Sequence, residues 1–238
     1  MGGLTVVLLD ALGTILELEK PWPHLVRELA KRGTRVTEEQ AREAMLAEMA
    51  FYRAEHHRAA DADGLARLRR DCAGVVLAHL GATAAGTGIE DVAAALLAAV
   101  RFVAYSDVAP ALEELRDDGV QLVVVSNWDV SLHTVLAQSG LSRLLDGAIS
   151  SAEAGAAKPD PAIFVAGLAL VGGRTEDAFM VGDSVATDIT GAQAAGIAPV
   201  LVTRVAGAGL GSFGAGPGAG VPTLPGLAGL PELVRYRR

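Results

Sequence analysis

The sequence predicts an α/β fold: a doubly wound parallel sheet with an all-helical segment inserted after its first strand. Three observations predict it. Apolar, β-branched runs at 6–9, 121–125 and 178–181 each end on a polar cluster: Asp10, then Ser126-Asn127, then Asp183-Ser184. After position 105 such runs alternate with helical apolar spacing, as parallel strands alternate with crossover helices. From 16 to 104 the helical spacing continues unbroken, so residues 1–15 and 105–238 read as a core domain and 16–104 as a helical insert.

The elements follow in order. Val6 to Leu9 is apolar throughout, as expected of a strand buried on both faces. Leu25, Val26, Leu29 and Ala30 recur at helical spacing behind Pro21 and Pro23. Thr37 with Gln40 three residues on is a capping box, opening a helix to about 58. Further helices are expected over 64–80 and 89–103. A helix at 108–118 has Pro110 near its first turn and ends at Gly119. After the 121–125 strand come a helix at 131–139 stopped by Gly140, a short strand at 147–150, and a helix from Pro161 to about 171. The 178–181 strand leads to a helix from about Asp188 to Ala195, capped by Gly196, and a strand at 199–202. The Gly/Ala-rich stretch 206–220 reads as a linker, with an edge strand at 221–224 and a helical turn or two at 229–235.

Composition limits the function. A net charge of −8 argues against a nucleic-acid footprint. The single cysteine, Cys72, excludes an intrachain disulfide framework and suits a reducing compartment. No basic region precedes a long apolar run near the start, and the apolar run at 92–100 is too short to span a bilayer. The expectation is a cytoplasmic protein, a monomer or homodimer, without membrane or nucleic-acid partners.

Asp10 alone reads equally well as a helix cap. Three strand ends carrying polar groups shift the balance, because open parallel sheets place ligands at those ends. Asp10 and Asp183, with Asp188 behind, suit a hard divalent cation, most plausibly Mg²⁺, which keeps waters and takes one or two carboxylates plus phosphate oxygens. Ser126, with Asn127 beside it, and Lys158 supply a hydroxyl, an amide and a cation for a phosphoryl group. Asp10 is then free to act as a nucleophile.

Asp10-Ala11-Leu12-Gly13-Thr14, Ser126, Lys158-Pro159 and Gly182-Asp183-Ser184 with Asp188, Gly191-Ala192 and Ala195-Gly196 resemble the four ordered motifs of the haloacid dehalogenase (HAD) superfamily. The resemblance covers nearly the whole chain. It implies a Rossmann-like core with a helical cap, Asp10 as nucleophile and Lys158 as a catalytic cation. It also implies metal held by Asp10, the backbone carbonyl of Leu12 and Asp183, with Asp188 one layer behind. Ser126, Asn127 and Lys158 would hold the phosphate of a small phosphorylated substrate.

One departure matters. Phosphatases of that superfamily carry a second Asp two residues after the nucleophile, which moves the proton; this chain has Leu12. The expected result is slow phosphatase turnover, with Asp129, Glu17 or His24 as weak substitutes. An impaired phospho-ligand-binding or interaction protein is the alternative. A 2-haloacid dehalogenase is less favoured, because Asp183 is retained, Leu12 is not Tyr, and no Arg follows Thr14 until Arg27. Elsewhere Trp128, Trp22 and Cys72 read as packing residues. His56-His57 and the arginines of the insert read as a solvated helix face, the sharper reading being a lid that turns cations towards an anion.

Overall fold

The computed structural model describes residues 4–204 and 220–237. The expected linker at 206–220 lies, but for Gly220, outside the described residues. The first half of the chain forms β1 (Val6–Leu9), β2 (Leu16–Leu18), α1 (Pro21–Ala30), α2 (Glu38–Glu55), α3 (Ala62–Leu80), α4 (Ile89–Ala99) and β3 (Phe102–Ala104). Next come α5 (Val108–Asp117), β4 (Gln121–Ser126), α6 (Leu132–Gln138), β5 (Gly147–Ser150) and α7 (Ser151–Ala154). The chain ends with α8 (Pro161–Ala169), β6 (Ala178–Gly182), α9 (Thr190–Ala194), β7 (Ala198–Val202), β8 (Thr223–Leu224) and α10 (Leu230–Arg237).

Among the described residues one parallel sheet has the order β5-β4-β1-β6-β7-β8. The chain builds outwards from β1 through β4 to β5, then returns to β6 on the other side. Strand order therefore reverses around β1, and the crevice at that reversal is where open α/β sheets bind ligands. Every residue of β1 is fully buried. Val7 and Leu9 join α5, α6 and α10 in one apolar cluster; Val6 and Leu8 join α8 and α9 in another. That split is the two-residue period of a strand covered on both faces.

Register aims the strand ends at one place. Leu9 pairs with Val124 of β4 and Val181 of β6. Asp10 then stands one step short of Ser126 and Asp183, and its amide bonds the Val181 carbonyl at 2.9 Å.

The insert has its own apolar cluster, including Leu25, Leu29, Met45, Leu68, Cys72, Val76, Val92 and Leu96. The Thr37 capping box is present, with Gln40 N to Thr37 Oγ1 at 3.2 Å and Thr37 N to Gln40 Oε1 at 2.9 Å. The two ends of the insert differ from the helical expectation. β2 and β3 pair antiparallel, Glu17 opposite Val103, as a short ribbon at its root. Three residues are too few to show a two-residue period, so the ribbon exists through its pairing rather than through local pattern. The helix expected from Asp188 also starts differently. A π-turn over Val185–Ile189 precedes α9, with the Asp188 and Ile189 amides both reaching the Ser184 carbonyl at 2.9 and 3.2 Å.

Arg204, two residues past β7, ties both chain crossings into the insert. It donates to the Thr14 carbonyl and to Asp107, each at 2.6 Å, and lies 3.9 Å from the Tyr105 ring centroid. Asp107 also accepts from the Leu227 amide at 2.7 Å. Among the described residues no single helix is long and apolar enough to cross a membrane.

Candidate active site

The buried Asp10 carboxylate is the meeting point. Its Oδ1 accepts from Lys158 Nζ at 2.5 Å and Ser126 Oγ at 3.0 Å; Thr14 Oγ1 lies 3.4 Å from Oδ2. Thr14 follows from the turn after β1: the bonds from Gly13 N to the Leu16 carbonyl and from Leu16 N to the Ala11 carbonyl fold the chain back and leave the Leu12 carbonyl outside them. Lys158 arrives on the segment before α8 and is 4% exposed, so its ammonium depends on its partners. It bridges Asp10 to Asp188 Oδ1 at 2.7 Å, and these two carboxylates hold it protonated against the cost of burial. Asn127 fixes that segment reciprocally. Its Nδ2 donates to the Lys158 carbonyl at 3.0 Å, and its Oδ1 accepts the Lys158 amide at 2.7 Å. Asn127 thus meets the backbone of Lys158, which places the lysine.

Asp188 is fully buried, and its Oδ2 accepts the Ser184 amide at 3.0 Å. Gly182 makes room for it, since a Cβ there would overlap the Asp188 carboxylate. Asp183 completes the group: one oxygen from each of Asp10, Asp183 and Asp188 lies within 4.8 Å of the others. With all three ionised, three carboxylates against the single ammonium of Lys158 would leave two negative charges uncompensated. Burial, with the charges of Asp10 and Asp188 nearby, pushes Asp183 up to about 8. Burial and Asp10 raise Asp188 to about 6 despite Lys158. An all-oxygen donor set short of two positive charges fits a hard divalent cation.

The position at which the resemblance expects a proton-transfer Asp is apolar. Leu12 is half-buried and packs against the core. Its proposed substitutes are occupied elsewhere. Asp129 accepts from Tyr52 Oη at 3.0 Å and the Ser131 amide at 2.6 Å. His24 lies between Glu19 at 3.2 Å and Arg27 at 2.5 Å. Glu17 is on β2, its charge felt at Tyr105. None of the three shares a hydrogen bond with Asp10, Lys158 or Asp183 among the described residues.

Two side chains that sequence reasoning treated as solvated or passive lie at the boundary between insert and core. His56, expected on a solvated face with His57, is buried. Its Nδ1 faces the Tyr52 and Arg53 carbonyls at 3.2 and 3.0 Å, and its Nε2 lies 3.1 Å from Ser151 Oγ, whose hydroxyl also reaches the Trp128 carbonyl at 3.2 Å. Burial lowers its pKa, which keeps the ring neutral. Nothing local signals this, because the partner is 95 residues away. Trp128 packs on Phe102, ring centroids 4.9 Å apart, and Trp22 and Cys72 lie in the apolar cluster of the insert. Cys72 also bonds the buried Glu48, and burial raises both groups.

Residues 4–196 match a hydrolase family, the haloacid dehalogenase-like hydrolases. A ribulose-1,5-bisphosphate 5-phosphatase of Halopiger xanaduensis is 35% identical over 96 residues, 40% of this chain and 40% of that one. A glyceraldehyde 3-phosphate phosphatase of Methanopyrus kandleri is 36% identical over 101 residues, 42% of this chain and 43% of that one. The chain therefore spans about two fifths of the length of these curated relatives. Among solved structures, a HAD phosphatase from Thermococcus onnurineus aligns over 97% of this chain and 98% of its own, at 24% identity and a TM-score of 0.63. An L-2-haloacid dehalogenase from Xanthobacter autotrophicus aligns over 99% and 100%, at 20% identity and a TM-score of 0.73. At such identities the likeness is one of fold.

Proposed function

The chain belongs to the haloacid dehalogenase-like hydrolases, and from that membership we propose that it is a Mg²⁺-dependent phosphatase acting on a small phosphorylated metabolite. One observation carries the reading: Lys158 and Ser126 converge on one oxygen of Asp10, beside a carboxylate cluster with two charges unbalanced. Phosphatases among its relatives, named for a sugar bisphosphate and a triose phosphate, point the same way.

Asp10 is the nucleophile. Its carboxylate oxygen bonds to phosphorus as the ester P–O bond breaks, giving an aspartyl-phosphate and a leaving alkoxide. Lys158 and Ser126 hold the phosphoryl oxygens and balance the charge that builds on them. Asp10, Asp183 and the Leu12 carbonyl would hold the cation, with Asp188 behind them. Bound there, it supplies positive charge that reduces repulsion between an anionic nucleophile and an anionic phosphate. Leu12 neither protonates the leaving oxygen nor takes a proton from the water that later cleaves the aspartyl-phosphate. Both protons exchange with solvent, and a missing acid–base group typically costs about 10²–10⁴ in rate. The insert acts as a cap that covers the site during turnover.

A dehalogenase reading has weaker support, since Asp183 adds a carboxylate that halide displacement does not use. The test is p-nitrophenyl phosphate, whose leaving group needs little protonation. Slow hydrolysis that stops with EDTA and returns with magnesium supports the proposal. Halide release from a 2-haloacid in EDTA, with no phosphate released from any ester, would overturn it.

A further inference from the structure

The loop that leaves β4 carries Ser126 and Asn127 towards the phosphate side of the site, and each residue of it is bonded to a different part of the molecule. Ser126 bonds Asp10, and Asn127 bonds the Lys158 backbone. The Trp128 amide donates to Ser151 Oγ at 3.1 Å, and the same oxygen meets His56 of the insert. Asp129 accepts from Tyr52 at the end of α2, and the Val130 amide donates to the Ala59 carbonyl of the insert at 2.9 Å. So the first half of the loop is held by the core and the second half by the insert.

The Tyr52 contact decides more than the others. Asp129 is 3% exposed, and its two oxygens have one donor each, the Ser131 amide and the Tyr52 hydroxyl. When the insert lifts, the loop loses two fixed partners at once, the Tyr52 hydroxyl on Asp129 and the Ala59 carbonyl on the Val130 amide, and water takes their place. The loop geometry seen here therefore belongs to the docked insert.

We propose that Tyr52 is a positioning residue: from the insert, through Asp129 and supported by Ala59 and His56, it sets the loop that presents Ser126 to phosphate and, through Asn127, holds the backbone of Lys158. The role in phosphate binding rests on the phosphatase reading; the mechanical linkage does not. A substrate that holds the insert down also fixes its own phosphate contacts, so covering the site and gripping the phosphate are one event.

Hydrogen exchange on the full-length protein tests the linkage without turnover. The Val130 amide exchanges when Ala59 withdraws, whereas the Val124 amide lies in the central sheet. In Tyr52→Phe, Val130 should exchange about tenfold faster or more, the scale of a lost hydrogen bond to a charged group, with Val124 unchanged. The KM for p-nitrophenyl phosphate and the inhibition constant of inorganic phosphate should rise together, also about tenfold. A Val130 rate equal to wild type, or an equal acceleration at Val124, overturns the proposal. So does a variant whose melting point falls while KM and phosphate inhibition stay as in wild type. Should Tyr52→Phe not fold, Asp129→Ala removes the acceptor of the Tyr52 hydroxyl and answers the same measurements. If the wild type hydrolyses no phosphate ester, the functional reading fails, and the exchange rates still decide the linkage.

Discussion

Without a divalent cation the protein should lose stability as pH rises. The folded state holds a proton on Asp183 up to about pH 8, whereas an unfolded carboxyl releases it near 3.8. Between those values the folded chain binds more protons than the unfolded one, so unfolding free energy falls with rising pH and levels off above about 8. Each pH unit between the two corresponds to roughly 1.4 kcal/mol, about 5–6 kcal/mol in full. Asp183 is only partly buried, and water screens part of the repulsion, so about 2–3 kcal/mol is the working figure. For a chain of this size that is about 5–10 °C in melting temperature. Calorimetry in EDTA from about pH 5 to about pH 8 measures it. Millimolar magnesium should remove most of the slope, and Asp183→Asn should flatten it in EDTA while abolishing the response to magnesium. A metal-free melting temperature that is level or rises over this range would refute the reasoning, as would an unchanged slope in Asp183→Asn.

Three further outcomes are expected. Leu12→Asp should raise turnover of an alkyl phosphate at least about tenfold, the low end of an acid–base contribution; steady-state kinetics on the metal-loaded variant checks it. Lys158→Met removes the ammonium between Asp10 and Asp188 and should cost about 3–5 kcal/mol, because two carboxylates lose their shared buried partner; chemical denaturation in EDTA reads this directly. Gly182→Ala should displace Asp188 from the Ser184 amide and Lys158. Magnesium would then stabilise the variant less than wild type in a thermal titration.

Much of this was legible in the sequence where a local pattern carries long-range meaning. Asp10 and Asp183 each follow a strand buried on both faces and Ser126 ends one, and a parallel register brings such ends together without any further instruction. Lys158 was legible as a cation, whereas its bridge between Asp10 and Asp188 depends on the segment held by Asn127. The π-turn before α9 was hidden because Asp188 bonds inwards to Ser184, overriding the ordinary helical start. The β2–β3 ribbon was hidden because each strand has only three residues. His56 and Tyr52 were misread or passed over for a common reason: a helix shows which residues share a face, and the partners of that face, Ser151 and Asp129, lie far away in the sequence.

Arg204 has a consequence for motion. One guanidinium grips the chain at Thr14, where it leaves for the insert, and at Tyr105 and Asp107, where it returns. The fulcrum of any swing therefore lies outboard of those residues, in the two short strands of the ribbon. If the insert moves as the proposed cap, it would be like a lever clamped at its base: the turn behind Asp10 would stay still, and a nucleophile there would be spared the recoil of its own lid.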